Sequence, residues 1–262
     1  MPENKVITLL TDFGLSDAYV GVMKGVIAQS NPTLTVIDLT HQIPPQNIAA
    51  ARFNLMNVVP YFPKGTVHIA VVDPGVGSQR RGIAIQIDAG FLVGPDNGLF
   101  SGVLKQNLVI KAVELTNSQY WRTPTPSNTF HGRDIFAAVG AHLASGVLIE
   151  ELGNVIEPKT LVQLAIEEPI VTDSEIRGCI QYIDHFGNLI SNISGNNVQG
   201  KNWSVVVKDN QIFGSQTYSN RKIGEVVALI SSEGWLEIAV NGGSAKSQLQ
   251  LDWGAQVKVV FD

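Results

Sequence analysis

Apolar and polar positions in the first half of the chain alternate between two periods. Short β-branched and aliphatic runs at Lys5–Leu10, Leu34–Leu39 and Val67–Val72 each end on polar turn residues: Thr11-Asp12-Phe13-Gly14, His41 to Pro45, and Asp73-Pro74-Gly75. Runs of that length bounded by turns predict buried parallel strands. Between them apolar residues recur at helical spacing, first Val20, Met23 and Ile27, then Ile48, Ala51, Leu55 and Val58. Asp17 precedes the first helix and is expected to serve as its N-cap or first-turn acid. Further extended runs are Ile83–Ile87, Phe91–Val93 and Val109–Leu115, and Ile135, Val139 and Leu143 mark a later helix. Strands alternating with helices predict an α/β layer architecture with a mostly parallel sheet.

Past about Leu152 the texture changes. Gly153 to Ile170 is a mixed, Pro-flanked stretch that reads as a connector. Beyond it, Ile176–Ile193, Trp203–Val207, Val226–Ile230 and Leu236–Val240 are short extended runs, punctuated by turn signals at Gly187-Asn188, Asp209-Asn210 and Gly242-Gly243. No helical period occurs there. The expectation is two domains divided near residue 165: an α/β domain at 1–165 and a smaller all-β domain at 166–262.

Composition narrows the functional classes. Of the 262 residues 44% are hydrophobic and only 16% charged, which leaves ample material for packed cores. Lys and Arg number 18 against 23 Asp and Glu, a net charge of −5, with no basic run. That balance argues against gripping phosphate backbones, so nucleic acid is not an expected partner. The single Cys179 makes neither an internal disulfide nor a Cys-rich zinc site. The histidines (His41, His68, His131, His142, His185) lack His-x-x-x-His spacing, so no metal site is expected. The first apolar stretch is too short for a signal peptide, and no run approaches the ~20 residues a bilayer requires. A soluble, cytoplasmic protein is expected.

Polar clusters fall where chemistry is common in such folds, outside the carboxyl ends of the strands. These are Asp12 with Asp17, His41 near Asp38, and Asp73 with Arg80 and Arg81; a fourth, Phe130-His131-Gly132-Arg133-Asp134, opens a helix, where backbone N–H groups are free. Each has a purely structural alternative. Asp12-Phe13-Gly14 matches a kinase tripeptide, but only eleven residues precede Asp12, leaving no room for the upstream catalytic loop. Asp12 also suits a simple turn, as do Asp73-Pro74-Gly75-Val76-Gly77 and Gly94-Pro95-Asp96-Asn97-Gly98. The Arg80-Arg81 doublet suits a solvated surface pair. Asp184-His185-Phe186-Gly187-Asn188 interrupts a strand pattern and suits a bulge or hairpin turn.

Taken in order and spacing, these segments resemble one family. Thr11–Gly14 with Asp17-Ala18-Tyr19-Val20-Gly21, Val72–Gly77 with Arg80-Arg81, Gly94–Gly98, Phe130–Asp134 and Asp184–Asn188 are together similar to the adenosine-forming S-adenosyl-L-methionine (SAM) hydrolases. These enzymes are also called SAM hydroxide adenosyltransferases and are relatives of fluorinase and chlorinase. The resemblance runs from about residue 5 to the end. It implies a β-barrel-like C-terminal domain, and a homotrimer with sites between subunits. It also implies a reaction without cofactor, in which water or hydroxide attacks C5′ of the SAM ribose, expelling methionine and leaving adenosine.

Matched motif by motif, the catalytic residues implied are Asp73, Arg80 and His131, with Arg81 the alternative if the doublet is offset by one. Asp12 matches the residue that binds the ribose hydroxyls. Asp17, Tyr19 and Gly132 fall in matching motifs and join the substrate-binding set. Asp184, Phe186 and Asn188 match the segment that binds methionine and adenine. Ser232 and Glu233 match a methionine-binding pair, and Val240 to Gly242 match backbone contacts to adenine. Glu233 departs from the halogenating relatives, which carry Arg there, and the Asp184–Phe186 turn is one residue shorter than theirs. The resemblance leaves two alternatives to hydrolysis: a SAM-dependent halogenase, and a non-catalytic sensor of SAM or adenosine.

Overall fold

The computed structural model describes residues 6–208 and 210–261. Lys5, at the start of the first predicted strand, and Asp209 of one turn signal lie outside the described residues. The chain divides into two compact units, one ending at Leu164 and the other beginning at Ala165.

In chain order the first unit contains β1 (Val6–Thr11), α1 (Tyr19–Ser30), β2 (Thr35–Thr40), α2 (Ile48–Val58), β3 (Thr66–Val71), β4 (Gly82–Ile87), β5 (Gly90–Pro95), α3 (Ser101–Gln106), β6 (Val109–Glu114), α4 (Ala137–Ala144) and β7 (Asn154–Ile156). Its seven strands form one sheet in the order β2-β1-β3-β5-β4-β6-β7. The first four are mutually parallel, whereas β4, β6 and β7 run antiparallel to their neighbours. The sheet is therefore mixed, where the alternating pattern predicts a mostly parallel one. The reversal of β4 has a local cause: only Asp88 and Ala89 separate it from β5, and so short a link permits only an antiparallel hairpin.

All six residues of β3 are buried, as expected of a strand covered on both faces. On one face Ile7, Leu9, Val67, Ile69 and Val71 pack with Met23 and Ile27 of α1 and Val139 and Leu143 of α4. On the other, β1 and β3 place Thr8 directly opposite His68, with Thr8 Oγ1 and His68 Nδ1 2.8 Å apart. Burial pushes the His68 imidazole down to about 4, so this ring is neutral in the folded protein. The helical apolar positions of α1 are buried as their spacing predicts, as are Ala51 and Leu55 of α2, while Ile48 and Val58 at the ends of α2 are partly buried. Asp17, however, does not cap α1: the N-cap is Ala18, without a side-chain cap, and the first turn holds no acid.

The second unit contains β8 (Ile170–Val171), β9 (Glu175–Ile183), β10 (Leu189–Ser194), β11 (Trp203–Val207), β12 (Asn210–Phe213), β13 (Val226–Ile230), β14 (Trp235–Val240), α5 (Ala245–Leu249) and β15 (Gln256–Phe261). Every neighbouring pair along β12-β11-β15-β9-β10-β14-β13 is antiparallel. The two ends of this sheet approach at a bridge between Gly214 and Ala228, where Ser215 N–H donates to the Ala228 carbonyl at 2.8 Å. The result is a nearly closed barrel whose interior holds Ile180, Leu189, Val205, Ile238 and Val259. The short helix α5 is an addition the sequence pattern does not announce. Among the described residues no helix is long and apolar enough to cross a membrane.

Candidate active site

In the first unit α1 and α2 cover opposite faces of the sheet, and the strand order reverses between β1 and β3. A crevice opens at the carboxyl ends of strands at such a reversal, because the flanking loops diverge. A cleft of about 360 Å³ lies there. Asp12 and Phe13 line it from the end of β1, Pro45 and Gln46 from the β2–α2 loop, Asp73, Pro74 and Val76 from the end of β3, and Thr129 to Gly132 from the approach to α4.

Asp73 lines this cleft, and Arg80 bonds to it from behind. Arg80 Nε donates to both Asp73 oxygens, at 2.9 and 3.1 Å, and Nη2 donates to Oδ2. The pair is nearly buried, with side chains 5% and 10% exposed, so the charges are paired in a site that admits little water. The same Nη2 lies 2.7 Å from His131 Nδ1. Guanidinium only donates, so Nδ1 is an acceptor and the neutral ring carries its proton on Nε2. Burial, then the adjacent Arg80 charge, lower the His131 pKa, with Asp73 and Asp134 opposing, which agrees with a neutral ring.

Two backbone features bring these groups together. The chain from Asp73 to Ser78 folds into successive turns, Val76 N–H to Asp73 carbonyl and Ser78 N–H to Gly75 carbonyl. Gly77 has φ +77° there, and a Cβ would lie 2.3 Å from the Asn128 carbonyl oxygen. Glycine thus lets the Asp73 loop touch the strand of chain leading to His131. Immediately after His131, Gly132–Phe136 forms a turn of π-helix ahead of α4, with Ala137 N–H donating to the Gly132 carbonyl. The N–H groups of Arg133 and Asp134 are taken by the Phe130 carbonyl, so this helix opening offers fewer free donors than the sequence suggests. Asp134 is fully buried and accepts from Arg133, Arg122 and Ser127 N–H, which hold its carboxyl below the usual range, the Arg133 bond contributing most. Asp134 is a brace for the loop behind His131.

The arginine doublet is not a solvated pair, and its members go to different partners. Arg81 donates to Asp96 from Nε at 2.9 Å and from Nη2, and reaches the Thr160 carbonyl. Asp96 in turn accepts Val162 N–H at 2.9 Å. Arg80 therefore joins two residues of the cleft wall, Asp73 and His131, and Arg81 belongs to a structural clamp that ties 160–162 to the Gly94–Gly98 turn. Arg81→Ala is expected to leave kcat near wild type but lower stability by about 2 kcal/mol, because buried Asp96 loses its partner. Denaturant unfolding alongside initial rates checks both halves.

Of the other expected binding residues, Asp12 is in the cleft wall, its Oδ2 accepting Gln46 N–H at 2.8 Å, and Gly132 lines it. Tyr19 is half exposed at the start of α1 and backs the wall, packing edge-on against Phe13 and Phe130. Asp17 is exposed and outside the cleft lining. In the second unit, Asp184 to Asn188 form the β9–β10 hairpin turn, in which Asp184 accepts Phe186 N–H, Asn188 N–H and Asn188 Nδ2–H. Phe186 stands 73% exposed at its tip. Ser232 and Glu233 occupy the exposed β13–β14 turn and bond to each other, Val240 ends β14, and Gly242 (φ +72°) follows it. Asp184 and Glu233 both bear electrostatically on Tyr218 and on buried Glu237, whose Oε1 accepts the Tyr218 hydroxyl at 2.8 Å. Burial, first, together with those acids raises Glu237 above the usual carboxylate range.

The sequence reading misses Gln46, Tyr218 and Glu237. Gln46 contributes a backbone N–H from a left-handed conformation, φ +64°, which its side-chain type does not signal. Glu237 sits in an apolar strand run, where one polar residue reads as an outward-facing position. Among the described residues no group of three or more His, Cys, Asp or Glu side chains gathers to hold a metal ion.

With this geometry in hand, comparison with known proteins is decisive. Residues 7–153 match the SAM hydroxide adenosyltransferase N-terminal domain and residues 178–258 the C-terminal domain of the same family. The chain belongs to the SAM hydroxide adenosyltransferase family. It is 40% identical over 256 residues to the (R)-S-adenosyl-L-methionine hydrolase of Salinispora tropica, covering 97% of each chain. To the fluorinase of Nocardia brasiliensis it is 27% identical over 289 residues, covering 97% of this chain and 96% of that one. In structure it resembles an uncharacterised conserved protein from Thermotoga maritima, with a TM-score of 0.91 and 33% identity over 97% of this chain and 99% of that one.

Proposed function

We propose that this family member is an enzyme that hydrolyses SAM to adenosine and L-methionine, with Asp73, Arg80 and His131 handling the nucleophilic water. One observation carries the reading: Asp73 and His131 line one cleft, and Arg80 donates to both, to Asp73 and to His131 Nδ1. The leaving group is a sulfonium that departs as a neutral thioether, so no general acid is required. The difficulty is water, a weak nucleophile that has to be aimed along the C5′–S bond and relieved of a proton. In this assignment His131 Nε2–H donates to the water oxygen and orients it. Asp73 retains free lone pairs beyond those used by Arg80 and accepts the proton as the C5′–O bond forms and the C5′–S bond breaks. Arg80 stays protonated throughout and holds both partners in register.

Asp12 binds the ribose hydroxyls, with Asp17, Tyr19 and Gly132 contributing to substrate binding around it. Asp184, Phe186, Asn188, Ser232, Glu233, Val240 and Gly242 complete the substrate set; support for these comes from the family motifs. The substrate is the (R) sulfonium epimer, as the names of the 34–40% identical relatives suggest. On the same reading, residues 1–165 and 166–262 are separate domains, and the protein works without cofactor as a cytoplasmic homotrimer, with SAM and adenosine but not nucleic acid as partners.

A halogenase is disfavoured because a halide stripped of water is repelled by a carboxylate at the reacting position. Incubation of the purified protein with each SAM epimer, with and without chloride or fluoride, tests the assignment by chromatography. Adenosine and methionine are expected in equal amounts, fastest from the (R) epimer. A 5′-halogenated nucleoside overturns the assignment in favour of a halogenase, and intact SAM in favour of a sensor.

A further inference from the structure

His41 is a buried titratable side chain that the proposed reaction does not use. It lies just beyond β2, 3% exposed, and faces the β1–α1 loop. Its Nδ1 is 2.8 Å from Oγ1 of Thr11, which is fully buried, and its carbonyl accepts Gly14 N–H at 2.8 Å. Thr11 Oγ1 also accepts Phe13 N–H at 3.2 Å. One residue is thus tied to both ends of the Thr11–Gly14 turn, and the two residues between those ends, Asp12 and Phe13, are cleft wall.

The direction of each bond follows from its groups. Asp38 Oδ1 lies 3.1 Å from His41 Nε2, off the hydrogen-bond direction, so this contact acts through charge. A carboxylate there favours the tautomer with its proton on Nε2, which leaves Nδ1 as an acceptor. The Thr11 hydroxyl, having accepted from Phe13, donates its hydrogen to Nδ1. Lys24 Nζ, 2.6 Å from Asp38 Oδ2, anchors the outer end.

We infer that His41 is a positioning residue for substrate binding, which through Thr11 fixes the turn that aims the Asp12 carboxylate into the cleft. The inference rests on the proposed role of Asp12 toward the ribose hydroxyls. A preset carboxylate spares the ordering cost that a mobile loop incurs when substrate binds. The effect belongs in KM rather than kcat, because Asp12 contacts a part of the substrate that does not react.

The test is steady-state kinetics with SAM on His41→Ala, His41→Asn, Thr11→Val, Asp12→Ala and the His41→Ala/Asp12→Ala double variant. His41→Ala and Thr11→Val are each expected to raise KM about tenfold with kcat within about twofold. Asn places an amide oxygen near the former Nδ1 position, so His41→Asn is expected to recover most of the wild-type KM. In the Asp12→Ala background, His41→Ala is expected to add little. Equal KM effects with and without Asp12, or a fall in kcat at unchanged KM, overturn the inference while leaving the reading of Asp12 intact. An Asp12→Ala protein with wild-type KM overturns the reading of Asp12 and this inference with it. Should His41→Ala fail to fold, the near-isosteric Thr11→Val carries the same comparison.

Discussion

Asp73→Asn is expected to lower kcat about a thousandfold while SAM still binds, in the range that removal of a positioned general base produces. The substitution keeps the shape of the side chain but changes two things. Asn presents one acceptor oxygen and one NH₂, so an N–H now faces the donors of Arg80, which in the wild type bond both carboxylate oxygens. It also removes the only acceptor in the trio able to take the proton, because His131 Nδ1 is occupied by Arg80 and its Nε2 is already protonated. The substitution leaves Asp12 and the other proposed binding residues in place, so Kd for SAM by calorimetry should change far less than kcat. Turnover within tenfold of wild type would remove Asp73 from the chemistry.

Acidification from pH 7 to pH 4 is expected to cost about 3 kcal/mol of folding stability through His68 alone. The ring is 1% exposed, and burial lowers its pKa from 6.5 to about 4. Above pH 6.5 neither folded nor unfolded chain binds the proton, and nothing is lost. As pH falls below 6.5 the unfolded chain takes up a proton that the folded chain refuses until about pH 4. Stability therefore declines through that window and levels off below it. His68→Gln keeps a polar group for Thr8 without a titration, so urea unfolding of both proteins at pH 7 and pH 4 isolates the contribution. An equally steep decline in the variant would refute it.

Much of the first unit was legible because its elements advertise themselves. The α1 and α2 positions recur at helical spacing, and β1 and β3 are apolar runs long enough to cross a core. The shortest elements were not legible, since three-residue β7 and two-residue β8 are fixed by pairing with a neighbour rather than by their own pattern. β15 alternates Gln256, Val257, Lys258 and Val259 and carries a readable signal that the sequence reading passes over. The reversal of β4 follows from a two-residue link, which a count of alternating strands and helices does not weigh. At the site, residue types nominated Asp73, Arg80 and His131, but only partners distinguish Arg80 from Arg81. Gln46 was invisible because its contribution is a backbone N–H, and backbone direction is set by tertiary contacts.

The wide turn at Gly132–Phe136 has an implication for how the chain beside this site gains and loses a residue. Such a turn holds one residue more than regular helix needs. Deleting a single codon there would restore ordinary winding, and because the wide turn absorbs its extra residue within one turn, the residues on either side would keep nearly the same angular register. The sheet and both helical layers would survive the change, so the extra residue beside the cleft is one that the fold can gain or shed in a single mutational step.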